Sequence, residues 1–247
     1  MANNIIKTIL QKNDEFKFKN NSNVICIGNF DGLHPIHQKV IYKTKEIAAD
    51  LGYSFSIFTF EKKINPLKDT FNIFSNELKN EKICAQFNPD YIFELKINDA
   101  TIATTANDFL DYLKNNLCVK KIVVGSDIKF GHKAQGNSGL LVEIFGKENV
   151  IIFEREAKIS TTKAKEYLIS SKFEKFKSVM GYNFRVEVLN ENKKYKLISS
   201  GFKVKNGLYK VAINNVEYDV EIINYVVNIQ LDKEIQFLEI IKLIKEI

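Results

Sequence analysis

Residues 24–37 are Val24-Ile25-Cys26-Ile27-Gly28-Asn29-Phe30-Asp31-Gly32-Leu33-His34-Pro35-Ile36-His37. The apolar run 24–27 predicts a short buried strand, and the segment 28–32 predicts a tight turn. Pro35 is expected at the first position of a helix, because the N–H that proline lacks would have no partner within the helix there. His34 and His37 are expected on one face at the helix N-terminus, whose free N–H groups and positive dipole suit phosphate. The stretch therefore predicts a site for chemistry on a nucleotide phosphate.

Strand-like and helical patterns alternate on both sides of this stretch, up to residue 180. Such alternation predicts a parallel sheet with helices on both faces, with ligands bound beyond the carboxyl ends of the strands. Gly52 is expected to end the first helix, and Thr105 to cap a later one. The predicted helices are 35–51, 75–87, 105–117, 137–145 and 162–180, the last in one or two pieces, and the predicted strands are 24–27, 54–60, 91–95, 122–125 and 150–153.

The pattern changes at Gly181. Short strand candidates follow at near-regular spacing, with Asn206-Gly207 and Asn214-Asn215 as turns. They predict a small antiparallel β unit, closed or partly closed, and residues 232–247 predict an amphipathic C-terminal helix with Ile235, Leu238, Ile241 and Leu243 facing inward. We therefore expect an α/β chain with two domains, residues 1–181 and 182–247. The strand candidates are 184–189, 195–200, 208–213, 218–223 and 225–231.

Composition narrows the class of protein. The 247 residues are 45% hydrophobic and carry a net charge of +6, with no apolar run long enough to span a bilayer. Three scattered cysteines favour a reducing cytoplasmic setting, and without a CxxC pair no structural zinc site is expected. Lysines interleave with Glu and Asp, so we expect a solvated surface that binds no nucleic acid and no membrane. The sequence gives no information on oligomeric state.

Two further segments have the composition of binding loops. Residues 125–131 follow an apolar strand, and Asp127 in this loop is a candidate for a ribose hydroxyl or Mg²⁺; an ordinary turn with Asp127 as a local cap is the alternative. Residues 159–165 place hydroxyls and lysines at a helix start, which suits phosphate. A plain N-cap before a solvated helix is the alternative there. The candidates in this segment are Ser160, Thr161, Thr162, Lys163 and Lys165.

Together these segments resemble the bacterial FAD synthetase family, the bifunctional riboflavin kinases/FMN adenylyltransferases. The family motif GNFDGxHxGH is similar to residues 28–37, GxDFxFG to residues 125–131 and ISSTxIR to residues 159–165. LGRPY is similar to residues 179–183, and order and spacing agree over residues 20–185. The resemblance implies a Rossmann-like nucleotidyltransferase domain followed by a reduced kinase-like β-barrel.

The chain departs from the family pattern at several positions. Ile36 replaces the glycine between the histidines, and residues 59–66 resemble TFxPHP without its histidine. Lys163 and Lys165 occupy arginine-type positions, which keeps the charge and loses the bidentate fork. After Gly181 the strand GVYAV has a counterpart in residues 207–211, whereas the kinase motif PTAN is absent and the tail is shorter.

The resemblance implies adenylyl transfer from ATP to FMN with Mg²⁺ as cofactor, whereas the missing PTAN motif and the shorter tail predict loss of riboflavin kinase activity. His34 and His37 would be catalytic. The nucleotide would contact Gly28, Asn29, Phe30, Asp31, Gly32, Asp127, Ser160, Thr161, Thr162, Lys163 and Lys165. Two alternatives stay open: a nucleotidyltransferase for another small acceptor, and a catalytically silent flavin-nucleotide binder.

Overall fold

The computed structural model describes residues 4–10, 16–61, 71–154, 160–191, 194–198, 203–231 and 234–247. They fall into two compact units, Met1–Asp69 with Phe74–Glu156, and Thr70–Ile73 with Ala157–Ile247. The second unit begins before residue 182, since it includes the helices predicted within residues 162–180. The division of function at residue 181 stays a prediction.

A parallel sheet forms the centre of the first unit, as the alternating pattern predicted. Its strands are β1 (Asn4–Thr8), β2 (Asn23–Ile27), β3 (Ser54–Phe60), β4 (Tyr91–Leu95), β5 (Val119–Gly125) and β8 (Val150–Phe153). Their order is β1-β4-β3-β2-β5-β8, and every neighbouring pair is parallel. The short strands β6 (Lys129–Phe130) and β7 (Gly136–Asn137) form a separate antiparallel pair within the loop after β5. Strand β1 was not predicted from the sequence.

Helices connect the strands; Thr105 is the N-cap that the sequence predicted, and the short helix Asp99–Ala103 was not predicted. They are α1 (Pro35–Leu51), α2 (Asn76–Phe87), α3 (Asp99–Ala103), α4 (Ala106–Asp111), which continues as a π-helical turn (Tyr112–Asn116), and α5 (Ser138–Phe145). Ser75, Thr105 and Asn137 each accept a backbone N–H from the first turn of the helix that follows. Gly52 ends α1 with φ 66°, a left-handed conformation that costs glycine little.

Strand β2 lies at the centre of the core, and all five of its residues are buried. Ile25 and Ile27 belong to an apolar cluster with Phe109 of α4 and Leu141 of α5. Cys26 points to the opposite face, because side chains alternate along a strand; its thiol donates to the Ser56 carbonyl at 3.9 Å and interacts with Thr44 of α1. Helices therefore cover both faces of this sheet, which fixes the turn after β2 at the carboxyl edge.

The second unit consists of two helices and a closed antiparallel barrel. The helices are α6 (Thr161–Ile169) and α7 (Phe173–Met180). The barrel strands are β9 (Phe184–Glu191), β10 (Lys194–Leu197), β11 (Gly207–Ile213), β12 (Val216–Ile223), β13 (Val226–Asn228) and β14 (Phe237–Glu246), in the order β10-β13-β12-β11-β14-β9. Phe173 and Phe176 of α7 pack on Phe184 of β9, with ring centroids 6.4 and 5.6 Å apart.

The predicted C-terminal helix is wrong: the segment forms β14, which pairs with β11 and β9 and completes the barrel. The apolar residues of 235–243 fit a helical stripe, and Leu238 and Ile240 equally fit an alternating strand. Both are fully buried, and pairing along two neighbouring strands satisfies the backbone groups of the segment. Tertiary pairing, which a local pattern does not contain, decides between the two structures.

Gly207 offers a test of this pairing. A Cβ at position 207 would lie 2.5 Å from the carbonyl oxygen of Lys245 and 2.8 Å from Cδ1 of Leu243 in β14. We expect Gly207→Ala to lower the free energy of unfolding by about 1–3 kcal/mol, measured by urea denaturation. The control Gly139→Ala, whose Cβ would meet only the end of the Asn137 side chain, should have a much smaller effect. Equal stability of Gly207→Ala and the wild type would contradict the β11–β14 pairing.

Candidate active site

The strand order reverses at β2 and brings two predicted motifs to one edge of the sheet. From β2 the chain passes through α1 to β3 on one side, whereas β5 pairs with β2 on the other side. Ligands of open α/β sheets bind at such a switch point, beyond the carboxyl ends of the strands. Residues 28–34 follow β2 and residues 125–131 follow β5, so the two loops leave the sheet from adjacent strands.

The loop after β2 is held in a tight shape by its own side chains. A Cβ on Gly28 would lie 3.0 Å from the Phe30 ring, which is 1% exposed, so a side chain at this position would press on the buried ring. Phe30, Gly32 and Leu33 have φ values of 50°, 74° and 45°. Turns that combine right-handed and left-handed residues can direct backbone N–H groups toward an anion, and the Leu33 N–H closes this turn by donating to the Phe30 carbonyl at 3.2 Å. Phe30 itself packs into the core.

Buried polar contacts anchor the same loop. The Asp31 carboxylate is 3% exposed, and its Oδ1 accepts a hydrogen bond from the Phe74 N–H at 3.2 Å. The Thr59 hydroxyl at the end of β3 donates to the Asn29 carbonyl at 3.2 Å. The loop is therefore fastened both to β3 and to the segment that precedes α2.

His34 and His37 stack on each other at the start of α1. Their ring centroids are 3.6 Å apart with an interplanar angle of 19°. His34 is the N-cap, and its Nδ1 accepts the backbone N–H of His37 at 3.3 Å, so the neutral ring carries its proton on Nε2. The Phe30 ring contacts His37 edge-on, with centroids 5.4 Å apart. The predicted placement of both histidines at the helix N-terminus is confirmed.

The His37 side chain is partly buried, and desolvation of the ring keeps it neutral. Desolvation, reinforced by the neighbouring His34, lowers the pKa of His37 well below the ordinary value of 6.5. Its Nδ1 is buried and has no hydrogen-bond partner among the described residues. A neutral imidazole offers one N–H donor and one acceptor, so this ring is suited to hydrogen bonding rather than to holding a full positive charge.

The loop after β5 leaves Asp127 exposed at its tip. Ser126 N–H donates to the Phe153 carbonyl at 2.8 Å, which ties the loop to β8. Gly131 has φ 72°, and a Cβ there would lie 2.6 Å from the Ala106 nitrogen at the start of α4. The end of the loop is therefore packed closely, and Asp127 is the carboxylate it presents to solvent.

The third predicted segment begins α6 in the second unit. Ser160 Oγ accepts the Lys163 N–H at 3.2 Å, and Thr161 and Thr162 occupy the first turn, as predicted. Lys163 Nζ donates to Glu166 at 2.7 Å, an interaction that raises the pKa of Lys163. The segment thus has the helix N-terminus that suits phosphate, whereas Ile159 lies outside the described residues.

Lys165 differs from the rest of the third segment because it is buried. Its side chain is 3% exposed, its Nζ donates to the Phe71 carbonyl, and it lies 5.3 Å from the centroid of the Phe71 ring. These contacts fasten α6 to residues 71–73 within the second unit. Contact of Lys165 with a nucleotide stays a prediction.

One buried polar cluster was missed by sequence reasoning. It consists of Thr59, Lys79, Asn80 and Glu94, at the carboxyl ends of β3 and β4. Asn80 donates to Glu94 at 2.8 Å, and Lys79 donates to Thr59 at 3.1 Å. Thr59 begins the segment that resembles TFxPHP, whereas no motif marks Lys79, Asn80 or Glu94, because α2 resembles an ordinary amphipathic helix in the sequence. Thr59 also donates to the Asn29 carbonyl, which connects this cluster to the loop after β2.

With this geometry established, comparison with known proteins identifies the family. A family profile described as FAD synthetase matches residues 17–173. The chain belongs to the FAD synthetase family. It is 30% identical over 218 residues to the bifunctional riboflavin kinase/FMN adenylyltransferase of Buchnera aphidicola, a match that covers 78% of this chain and 69% of the relative. It is 24% identical over 210 residues to the FAD synthetase of Listeria monocytogenes, covering 77% and 84%.

Family membership makes this FAD synthetase homologue a nucleotidyltransferase, in agreement with the sequence resemblance. A solved structure named a macrolide-efflux protein from Streptococcus pneumoniae superposes with a TM-score of 0.75, covering 98% of this chain and 91% of that chain. Its sequence is 18% identical. The likeness therefore supports the fold alone, and that name carries no information about activity here.

Other features of the FAD synthetase homologue concern membranes, metals and cysteines. In the part of the chain that the structure describes, no helix has the length and apolar character to cross a bilayer. The same residues contain no group of three or more His, Cys, Asp or Glu side chains able to hold a metal ion. Cys26, Cys84 and Cys118 are free thiols.

The lowered pKa of His37 predicts how stability depends on pH. The unfolded chain takes up a proton on this imidazole as the pH falls below about 6.5, whereas the folded state resists it. The stabilisation from His37 is complete above that pH and is lost as the pH falls toward the folded-state pKa.

We expect the free energy of unfolding to decrease on acidification from pH 7 to about pH 5, and to decrease less in His37→Gln. Urea denaturation at several pH values measures both slopes. An equal dependence of the free energy of unfolding on pH in the two proteins would contradict the neutral state of His37 in the folded protein.

Proposed function

We propose that this FAD synthetase homologue transfers the adenylyl group of ATP to FMN, giving FAD and pyrophosphate. An oxygen of the FMN phosphate bonds to the α-phosphorus of ATP. The bond from that phosphorus to the oxygen bridging the β-phosphate breaks, and pyrophosphate leaves with the electron pair. The observation that carries the proposal is the stacked His34–His37 pair beside the loop at the switch point of the sheet.

The two imidazoles would act by hydrogen bonding. The His34 Nε2–H is a donor, because Nδ1 of the same ring accepts the backbone N–H of His37. Neutral N–H donors aimed at phosphate oxygens stabilise the charge that develops during in-line displacement, and no enzyme nucleophile is required. The backbone of residues 28–32 would bind the phosphates at the N-terminus of α1.

Other predicted residues would serve the leaving group and the ribose. Ser160, Thr161, Thr162 and Lys163 at the start of α6 would bind pyrophosphate through hydroxyls, charge and the helix dipole. Asp127 is exposed and would accept a hydrogen bond from a ribose hydroxyl.

Magnesium would enter with ATP. Mg²⁺ is commonly held by substrate phosphates, waters and one or two carboxylates, so a dedicated cluster of protein ligands is not required. Asp127 fits this requirement, because its carboxylate is exposed beside the end of β5. Bound there, Mg²⁺ would offset the phosphate charge.

Two departures from the family pattern bear on activity. Ile36 is 8% exposed, so its side chain packs within the protein instead of projecting from α1. This packing supports turnover over the alternative of a silent flavin-nucleotide binder. The barrel interior is filled by apolar side chains, and no PTAN motif follows Gly181, which supports loss of riboflavin kinase activity.

A chromatographic assay tests the whole proposal. Purified protein is incubated with ATP, Mg²⁺ and either FMN or riboflavin, and the flavins are separated. We expect FAD from FMN, and neither FMN nor FAD from riboflavin. FMN that binds without forming FAD would refute catalysis and support the silent binder, whereas FMN formed from riboflavin would refute loss of the kinase. Phosphopantetheine and nicotinate mononucleotide, supplied as acceptors, should give no product.

Replacement of both histidines tests their role. We expect His34→Ala with His37→Ala to lower kcat for FAD formation on the order of a hundredfold to a thousandfold, because donors to the developing charge are lost. His34→Asn combined with His37→Gln should lower kcat comparably while keeping α1 capped, since asparagine is a good N-cap. His132→Ala, which removes the third histidine of the chain, is the control. An unchanged rate in the double variants would refute the role.

A further inference from the structure

Lys79 is a buried cation in the second helical turn of the first unit's helix α2. Its side chain is 3% exposed. Its ammonium donates to the Phe60 carbonyl at 2.8 Å and to the Thr59 hydroxyl at 3.1 Å, both at the carboxyl end of β3. Lysine is seldom buried to this extent, because desolvating the ammonium is costly unless charges or hydrogen bonds compensate.

The direction of the hydrogen bonds links Lys79 to the loop after β2. An ammonium can only donate, so the Thr59 oxygen accepts from Lys79 and its own proton is directed to the Asn29 carbonyl at 3.2 Å. Asn29 is the second residue of the GNFDG motif. A chain of two hydrogen bonds therefore runs from α2 through β3 to the backbone of the predicted phosphate-binding loop.

Charge gives a second link to the same loop. Burial lowers the pKa of Lys79, and the carboxylates of Glu94, Asp31 and Glu77 oppose this shift. Lys79 forms no ion pair closer than 4.0 Å with any residue that the structure describes, so it acts on these carboxylates through space. Asp31 is 3% exposed in the loop itself, and a positive charge nearby reduces the cost of keeping its carboxylate there.

We propose that Lys79 is a positioning residue that holds residues 28–32 in their ATP-binding shape through the Thr59 hydroxyl. The proposal rests on the proposed function. Lys79 does not contact the reacting atoms; through Thr59 it fixes the backbone carbonyl of Asn29, and its charge favours the buried carboxylate of Asp31.

A purely structural role and a positioning role make different predictions for Lys79→Met. Methionine has a similar length and no charge, and replacing a buried charge by an apolar side chain of similar volume often costs little stability. If the role of Lys79 is purely structural, the variant should contain less folded protein, and its kinetic parameters for ATP and for FMN should change equally. A positioning role would affect ATP, which the loop binds, and would spare FMN.

We expect Lys79→Met to lower kcat/KM for ATP on the order of tenfold to a hundredfold, because displacement of a binding loop by about 1 Å is costly. The KM for FMN should stay within about twofold of the wild type. Thr59→Val keeps the side-chain size and removes the hydroxyl that links Lys79 to the Asn29 carbonyl. It should therefore also lower kcat/KM for ATP. Lys79→Arg, which keeps charge and donors, should retain more activity than Lys79→Met.

Lys120→Met is the control, because Lys120 is an exposed lysine of the same unit at the amino end of β5, opposite the edge that carries the loop. Its kcat/KM for ATP should equal that of the wild type. Calorimetric titration with a non-hydrolysable ATP analogue measures nucleotide affinity without turnover.

The outcomes separate the two proposals. Wild-type protein that binds the analogue and makes no FAD would refute the proposed function alone, and the affinities of the variants would still decide the role of Lys79. Equal affinity of wild type, Lys79→Met and Thr59→Val for the analogue would overturn the positioning role. A parallel loss of ATP and FMN binding in proportion to unfolded protein would overturn it as well.

Discussion

The parallel pairing of β2 with β3 on one side and with β5 on the other determines where chemistry can occur in the first unit. This pairing places the turn after β2 and the loop after β5 at one edge of the sheet. The buried apolar residues of β2 hold that arrangement from both faces. The His34–His37 pair, the glycine-containing loop and Asp127 then share one edge, although residues 34 and 127 are far apart in the chain. A nucleotide phosphate is the ligand that this combination of helix N-terminus, loop backbone and imidazole donors suits best.

Local signals explain why much of the first unit could be predicted from its sequence. Helix α1, Pro35–Leu51, has a proline at its first position and is followed by Gly52 in a left-handed conformation, and these two residues fix its ends. Ser75 and Thr105 mark the starts of two other helices, because the oxygen of each side chain accepts a backbone N–H from the residue three positions later. Such contacts depend on neighbours in the sequence alone. Strands β2, β3, β4, β5 and β8 are short apolar runs between these caps and were predicted from them, whereas β1 was not.

Long-range pairing explains what the sequence did not reveal. The residues of β14 carry an apolar spacing that suits a helix, and only β11 and β9, which come earlier in the chain, make the segment a strand. Asn224 and Tyr225 form a left-handed turn before β13 that no motif marked. The sequence did not reveal the role of Lys79, because this residue lies in helix α2 and its partners, Thr59 and Phe60, lie in strand β3. The histidine motif was found because all its parts are consecutive, whereas the polar cluster that supports it is assembled by the fold.

The proposed adenylyl transfer requires the loop after β2 and the two imidazoles to bind the ATP phosphates. The most direct measurement is a crystal structure of the full chain with a non-hydrolysable ATP analogue. We expect triphosphate oxygens within hydrogen-bond distance of backbone N–H groups of residues 28–32 and of the His34 or His37 ring. A well-ordered nucleotide bound elsewhere, with these groups unchanged and without ligand contact, would contradict it.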